Sequence, residues 1–431
     1  MSTLPKGWKE EKLSELVDKI IDYRGKTPKK LGLDWSEKGK YKALSAKSVK
    51  TGGLVNEDQI NLGDEELYKA WMKDEVEYND ILLTSEAPMG EVIIWKSEEK
   101  IILSQRLFAI RVKENISPDY MYYYFISKTF QSELLARSSG TTVVGIKQTE
   151  LLKTNVILPE SPNEQKEIAS ILSSFDKKIE LLKEQNQTLE TMAQTIFKEW
   201  FVDFNYPNAM DEMIDSEMGE IPKGWRVFKL EELVNTVNGY SYKGNELVDE
   251  STEALVTLKS FNRNGGFQTR GFKPFQGTPK KEQEVVIGDL IVAHTDLTQD
   301  AEVLGNPAFI FESGGFHKMY ITMDLVKVNS KIEEIQNSFL YYVMKDKRFK
   351  GHCVGYSNGT TVLHLSKKAI PEYKIPLPEN LKLAQDFSNL TENFTKKISH
   401  NILEIKNLEE IKDSLLPKLM SGQKRVFEYD N

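Results

Sequence analysis

Two loops carry the residues best suited to a charged partner. Asp22-Tyr23-Arg24-Gly25-Lys26-Thr27-Pro28-Lys29-Lys30 sets four cations and a phenol ring within nine residues, and Asn238-Gly239-Tyr240-Ser241-Tyr242-Lys243-Gly244 takes the corresponding place in the second half. Guanidinium and ammonium groups neutralise phosphates, and forked side chains read purine edges in a major groove. A solvated loop is the plain alternative for either segment. Recurrence at equivalent places favours a working role, although a duplicated fold keeps its structural turns as well.

Signals for catalysis are weak. His294, His317, His352, His364 and His400 never fall at the i, i+4 spacing of a helical metal site, and His352-Cys353 is adjacent rather than spaced for chelation. Asn306-Pro307-Ala308-Phe309 is one residue short of the Asn-Pro-Pro-Tyr/Phe tetrapeptide with which adenine methyltransferases hold a flipped base. The nearest candidate for a methyl-donor loop, Gly265-Gly266, lacks spaced glycines. Neither a Gly-x-x-x-x-Gly-Lys-Ser/Thr phosphate loop nor a Gly-x-Ser-x-Gly elbow occurs. The chain is therefore expected to be no enzyme and to hold no metal or cofactor itself.

The elements that position these loops follow from composition and repetition. A chain of 431 residues with 39% apolar and 10% aromatic side chains has enough buryable surface for two domains. Its net charge of −8 opposes a nucleic-acid partner until the charge is located. Residues 1–158 carry 24 Lys+Arg against 24 Asp+Glu and 221–378 carry 20 against 18, whereas 159–220 carry 5 against 14. The acidity thus belongs to one helical segment and its linker, leaving each globular part free to keep a basic face. The single cysteine, Cys353, gives no support for an oxidising compartment. The first 20 residues lack an apolar signal core, and no run approaches the ~18 apolar residues of a membrane span. A cytoplasmic location without a membrane is expected.

An internal duplication organises the chain. Leu4-Pro5-Lys6-Gly7-Trp8 returns as Ile221-Pro222-Lys223-Gly224-Trp225, and Lys12-Leu13-Ser14-Glu15-Leu16-Val17 as Lys229-Leu230-Glu231-Glu232-Leu233-Val234, at an offset of 217. Further on, Gly140-Thr141-Thr142-Val143 returns as Gly359-Thr360-Thr361-Val362 and Leu158-Pro159 as Leu377-Pro378, at 219. A period this long makes each copy a domain-sized unit. Apolar runs such as Ile81-Leu82-Leu83 and Val92-Ile93-Ile94-Trp95 predict strands, and Asp119 to Leu135 and Ile335 to Met344 predict helix, giving a mixed α/β domain.

After Pro159 the periodicity changes. Ile168, Phe175, Leu182, Leu189 and Ile196 form one seven-residue row, and Leu172, Ile179, Asn186, Ala193 and Trp200 a second. Phe387, Phe394, Leu408 and Leu415 continue the first row in the later copy, and Ile398 and Ile405 the second. A helix of about 40 residues is about 60 Å long, more than one small domain covers, so its stripe needs a partner. The other copy's helix, antiparallel, is the simplest; two independent surface helices are the alternative. Asn186 and Asn401 interrupt the two seams as residues that fix register.

Taken in order, these segments resemble the specificity subunit of type I restriction-modification systems over essentially the whole chain. The resemblance rests on the Pro-Lys-Gly-Trp openings, Ser139-Gly140-Thr141-Thr142, Leu158-Pro159 with Glu164-Gln165-Lys166-Glu167-Ile168-Ala169, the run Phe197 to Phe204, and Leu416 to Gly422. The second Gln-Lys-x-Ile element is degenerate, Leu383-Ala384-Gln385-Asp386-Phe387. The resemblance implies an α+β fold: target-recognition domains at 1–158 and 221–378, long helices at 159–205 and 379–422, a linker at 206–220 and a tail at 423–431. It further implies a bipartite double-stranded DNA target, two methyltransferase subunits and restriction subunits as partners, and S-adenosylmethionine and ATP with magnesium bound by those partners.

On this reading the DNA contacts expected in the first domain are Arg24, Lys26, Lys29, Lys30, Lys47, Ser85, Glu86, Arg106 and Lys147. In the second they are Tyr242, Lys243, Lys259, Arg263, Asn264, Arg270, His294, Asp296, Lys318 and Asn358. Thr141, Thr142, Thr360 and Thr361 fit structural and DNA-facing roles equally, and Phe197 to Phe204 fits methyltransferase docking or packing at a domain base. A self-contained modification enzyme and a coiled-coil scaffold without a DNA role are the readings from other classes. Methyl transfer without an added partner would support the first, and absence of any salt-dependent duplex shift the second.

Overall fold

The computed structural model describes residues 4–209, 212–261 and 266–426. Its contacts divide the chain into two units, one running to Ile179 and taken up again from Asn407, the other Glu180–Lys406.

The first unit is closed by its own ends. Trp8–Lys12 pairs antiparallel with Asn155–Pro159, Trp8 opposite Pro159, so the Lys-Gly-Trp opening and the Leu-Pro close are two sides of one ladder. Gly7 supplies the left-handed turn before the tryptophan, at φ +77°. Inside lies a four-stranded antiparallel sheet in the order Val17–Asp22, Leu107–Val112, Ile81–Thr84, Val92–Ile94. A smaller sheet joins Leu62–Gly63, Tyr41–Leu44 and Ile102–Leu103, the last two parallel.

The second unit repeats this plan. Trp225–Lys229 pairs with Lys374–Pro378, Trp225 opposite Pro378. Its main sheet runs Val234–Asn238, Leu325–Ser330, Leu290–Ala293, Pro307–Phe309. The smaller sheet again contains one parallel pair, Glu253–Val256 with Lys318–Ile321.

The helix expected from Asp119 to Leu135 is two helices, Pro118–Ile126 and Lys128–Ala136. Ser127 separates them with extended backbone, and its hydroxyl accepts the Phe130 N–H to cap the second. The corresponding pair in the second unit is Asn337–Lys345 and Lys347–Gly355.

The long helices are Pro162–Phe201 and Lys382–Met420. Each contributes one part to each unit. In the first unit Ile168 and Leu172 are buried in one cluster with Trp8, Tyr120, Leu419 and Met420. In the second, Ala193, Phe197 and Phe201 are buried with Trp225, Phe339, Ala384 and Phe387. Partners run in opposite directions within each unit: Asp176 meets Lys412 in the first, and Asn186 meets Asn401 and Trp200 meets Phe387 in the second. The apolar seams are thus part of the domain cores, and compactness does not follow the divisions at 158 and 378. Phe197 and Phe201, 3% and 0% exposed, pack at the base of the second unit, so of the two roles expected for that run they serve the packing one.

Candidate nucleic-acid interface

In the first unit the basic loop sorts into cations already bound and cations that face outward. The Arg24 fork donates from Nε and Nη2 to the two carboxylate oxygens of Asp22 at 2.9 and 2.8 Å, and from Nη1 to the Ile146 carbonyl at 3.1 Å. Its guanidinium also lies 4.1 Å from the centre of the Phe108 ring. Lys26 Nζ donates to the Trp71 carbonyl at 2.6 Å, and burial, then neighbouring Lys73, lowers its pKa. Lys30 Nζ donates to the Gly25 carbonyl at 2.7 Å. These three shape the loop. Lys29 and Lys47 are exposed and, with Arg106, line a concavity of about 490 Å³ that Trp35, Asn61 and Gln105 share. The Trp35 ring is 5.7 Å from buried Trp71.

Beside this concavity two loops meet. Ser85 N–H donates to the Arg106 carbonyl at 2.8 Å and Ile146 N–H to the Ser85 carbonyl at 2.9 Å. Arg106, a non-glycine residue at φ +66°, directs Nε to Glu86 Oε1 at 3.1 Å. Lys147 is exposed and precedes the short helix Gln148–Leu151. Ser85 is 0% exposed, and its Oγ has no hydrogen-bond partner among the described residues. Its backbone joins two loops and its side chain faces the interior.

The second unit builds the same junction from other residues. His294 N–H donates to the Asp324 carbonyl at 2.7 Å and Leu365 N–H to the His294 carbonyl at 2.8 Å. Thr295 Oγ1 donates to Asp324 Oδ1 at 3.0 Å. Burial, then His364 and Lys367, lowers the His294 pKa. Asp296 is 2% exposed. It accepts the N–H groups of Thr298, Val303 and Leu304 and the Thr298 hydroxyl. Burial alone would raise its carboxyl; these bonds outweigh it and hold the pKa low. Asp296, expected among the DNA contacts, is placed here as the organiser of its own loop.

Of the other residues expected in this unit, Lys243, Lys259, Arg270, Lys318 and Asn358 are exposed and Tyr242 is half-buried. Lys318 pairs with Glu253 at 3.4 Å. Arg263 and Asn264 lie outside the described residues. The near-motif Asn306-Pro307-Ala308-Phe309 is a sheet edge, and Asn306 is committed to Lys350 Nζ at 2.8 Å and the Glu302 carbonyl at 3.1 Å. Cys353 is buried, which pushes its thiol up to about 12. Among the described residues there is no metal-binding group of three or more His, Cys, Asp or Glu, and no helix long and apolar enough to cross a membrane.

The Gly-Thr-Thr-Val segments are exposed turns beside both junctions. Gly140 and Gly359 stand at φ +113° and +129°, and a Cβ on either would lie 2.1 and 2.0 Å from the carbonyl of Val143 and Val362. Glycine thus carries the turn, while Thr141, Thr142, Thr360 and Thr361 face solvent at its tip. Trp35, Gln105, Met323 and Asp324 were not among the expected contacts. The signal available was the alignment of the two turns, visible only once equivalent strands are known.

The sequence profile of the type I restriction modification DNA specificity domain matches this chain twice, over residues 5–191 and 222–407. The chain belongs to that family. Two similar relatives are the MjaIX specificity subunit of Methanocaldococcus jannaschii, 30% identical over 81% of this chain and 78% of that protein, and the HindI specificity subunit of Haemophilus influenzae, 23% identical over 75% and 82%. A crystal structure of the S subunit from M. genitalium shares the fold, with a TM-score of 0.58 at 18% identity and 97% of both chains covered. The specificity subunit is the DNA-recognition part of a type I system and not its catalytic part.

Proposed function

We propose that this specificity subunit reads a bipartite duplex target, one half-site per unit, through the junctions around Arg106 and Asp324 and the glycine-tipped turns beside them. One observation carries the reading: both units repeat the same four-stranded sheet order and the same backbone hydrogen bonds at the junction, while the exposed side chains there differ in charge and shape. A common scaffold with unlike tips is what two different DNA words require.

The recognition segments proposed are 1–158 and 221–378, with Lys29, Lys47, Arg106, Lys147, Tyr242, Lys243, Lys259, Arg270 and Asn358 as contacts. Two methyltransferase subunits and restriction subunits would complete the complex in the cytoplasm, the methyl donor and ATP with magnesium belonging to them. The long helices would set the spacer between half-sites. Replacing residues 1–158 by the same segment of another family member, in the complex with its methyltransferase, tests this. The methylated sequence should change in one half only; change in both halves or neither would refute it.

A further inference from the structure

Superimposing the two units by their hydrogen bonds brings two side-chain pairs to the same place. Ser85 and His294 are equivalent, because each donates its N–H to the turn (Arg106 or Asp324) and accepts from the closing loop (Ile146 or Leu365). The residues that follow them, Glu86 and Thr295, are therefore equivalent too, and each holds the turn residue by its side chain: Glu86 to Arg106 at 3.1 Å, Thr295 to Asp324 at 3.0 Å. The turns join equivalent strands, Ile102–Leu103 to Leu107–Val112 and Lys318–Ile321 to Leu325–Ser330.

At this one position the chemistry is inverted. The first unit presents a tethered donor, Arg106, and the second a tethered acceptor, Asp324. The preceding residue is an exposed amide, Gln105, in the first and an exposed thioether, Met323, 53% accessible, in the second. A turn kept only for its fold would have no need to exchange a cation for an anion along with the residue that tethers it. The tethers also reduce the rotamer freedom that a base contact would otherwise have to freeze. Arg106 retains 43% of its side-chain surface in solvent, on the same concavity as Lys29 and Lys47.

We propose that this two-residue turn is the specificity-determining element of each recognition domain. Arg106 reads the O6/N7 edge of a guanine in one half-site, and Asp324 accepts from the N4 amino group of a cytosine in the other. Glu86 and Thr295 are the positioning residues that aim them. The proposal rests on the reading of the units as DNA readers and names the bases they discriminate.

The test is selection of bound duplexes from a random library by the full chain in complex with its methyltransferase subunits. Arg106→Gln should shift one position of one half-site from guanine towards adenine, and Arg106→Ala should erase the preference there by on the order of 10- to 100-fold. Asp324→Asn should relax one position of the other half-site. Lys29→Ala should weaken binding without altering either word. If the wild-type complex selects a bipartite word and the Arg106 and Asp324 variants select that same word, the turn is scaffold and the proposal falls while the DNA reading stands. If the wild type selects no word, both fall. The near-isosteric Asp324→Asn, checked by its melting curve, keeps the second half testable should Arg106→Ala fail to fold.

Discussion

Asn401 Nδ2 donates to Asn186 Oδ1 at 2.8 Å across the seam of the second unit, and Asn401 is completely buried. Its own Oδ1 has no hydrogen-bond partner among the described residues. Such a pair costs stability relative to leucines but allows only the alignment in which the two amides meet. Asn186→Leu alone should destabilise the chain by about 1–3 kcal/mol, because it strands a buried amide. Adding Asn401→Leu should recover that loss. Denaturant titrations of the four-member cycle would show a favourable coupling between the two leucines; additive losses would deny the pairing.

A second pair joins a buried carboxylate to a half-buried guanidinium in the first unit. Glu164, 0% exposed, accepts from Arg425 Nη2 at 3.1 and 3.0 Å on its two oxygens, from Nε at 3.2 Å, and from Trp8 Nε1 at 3.4 Å. Arg425 Nη1 also donates to the Lys6 carbonyl at 2.7 Å. Gly422 sits under the Trp8 ring, where a Cβ would come within 3.0 Å. Arg425→Met leaves a buried carboxylate without its cation and should cost about 3–5 kcal/mol, whereas Glu164→Gln with Arg425→Met should cost less. Thermal melts of the two variants decide it. Equal losses would mean that the ion pair contributes nothing.

The duplication and the helical seams were legible in the sequence because they are carried by repeated words and by a local period of seven. Ile168, Leu172, Ala193 and Phe387 are buried where that period places them. The order of the main sheet was not legible, since it sets Val17–Asp22 against Leu107–Val112 through pairing far along the chain. Nor was the break at Ser127, where one side-chain cap overrides a continuous helical pattern. At the candidate interface, residue type alone does not distinguish Arg24, whose fork is taken by Asp22, from Lys29, which faces the concavity. Asp296 has the composition of a surface loop residue and the surroundings of a core one.

Lys29 and Lys47 should act through phosphates. Each is exposed on the concavity beside Trp35. Lys29→Ala and Lys47→Ala should each weaken duplex binding uniformly across sequences and reduce the slope of log affinity against log salt by about 1. Titrations at several salt concentrations would show it. An unchanged slope would remove that lysine from the contact set.

His294 makes stability depend on pH. Burial, reinforced by His364 and Lys367 and partly opposed by Asp324, lowers its pKa from the ordinary 6.5, so the unfolded chain binds this proton more readily than the folded one. Its folded environment is therefore without penalty above about 6.5, and stability declines as the pH falls through 6.5 towards the lower folded value. His294→Gln should flatten this part of the pH–stability curve, measured by denaturant midpoints between pH 7.5 and 5, both about the usual range for histidine. An undiminished decline would assign it to other groups.

The glycine turns separate recognition from folding. Gly140→Ala meets both a left-handed backbone and a carbonyl oxygen 2.1 Å from the new Cβ, so the exposed tip carrying Thr141 and Thr142 must move. The tip lies outside the buried clusters of the first unit, so the melting temperature should fall modestly while the unit stays folded. If the tip presses on the duplex beside Arg106, binding should weaken for one half-site only, and Gly359→Ala should do the same for the other. Competition between duplexes altered in one half at a time measures this. Equal weakening towards both halves would make the turn a general support of the complex, and no weakening would leave the threonines as surface alone.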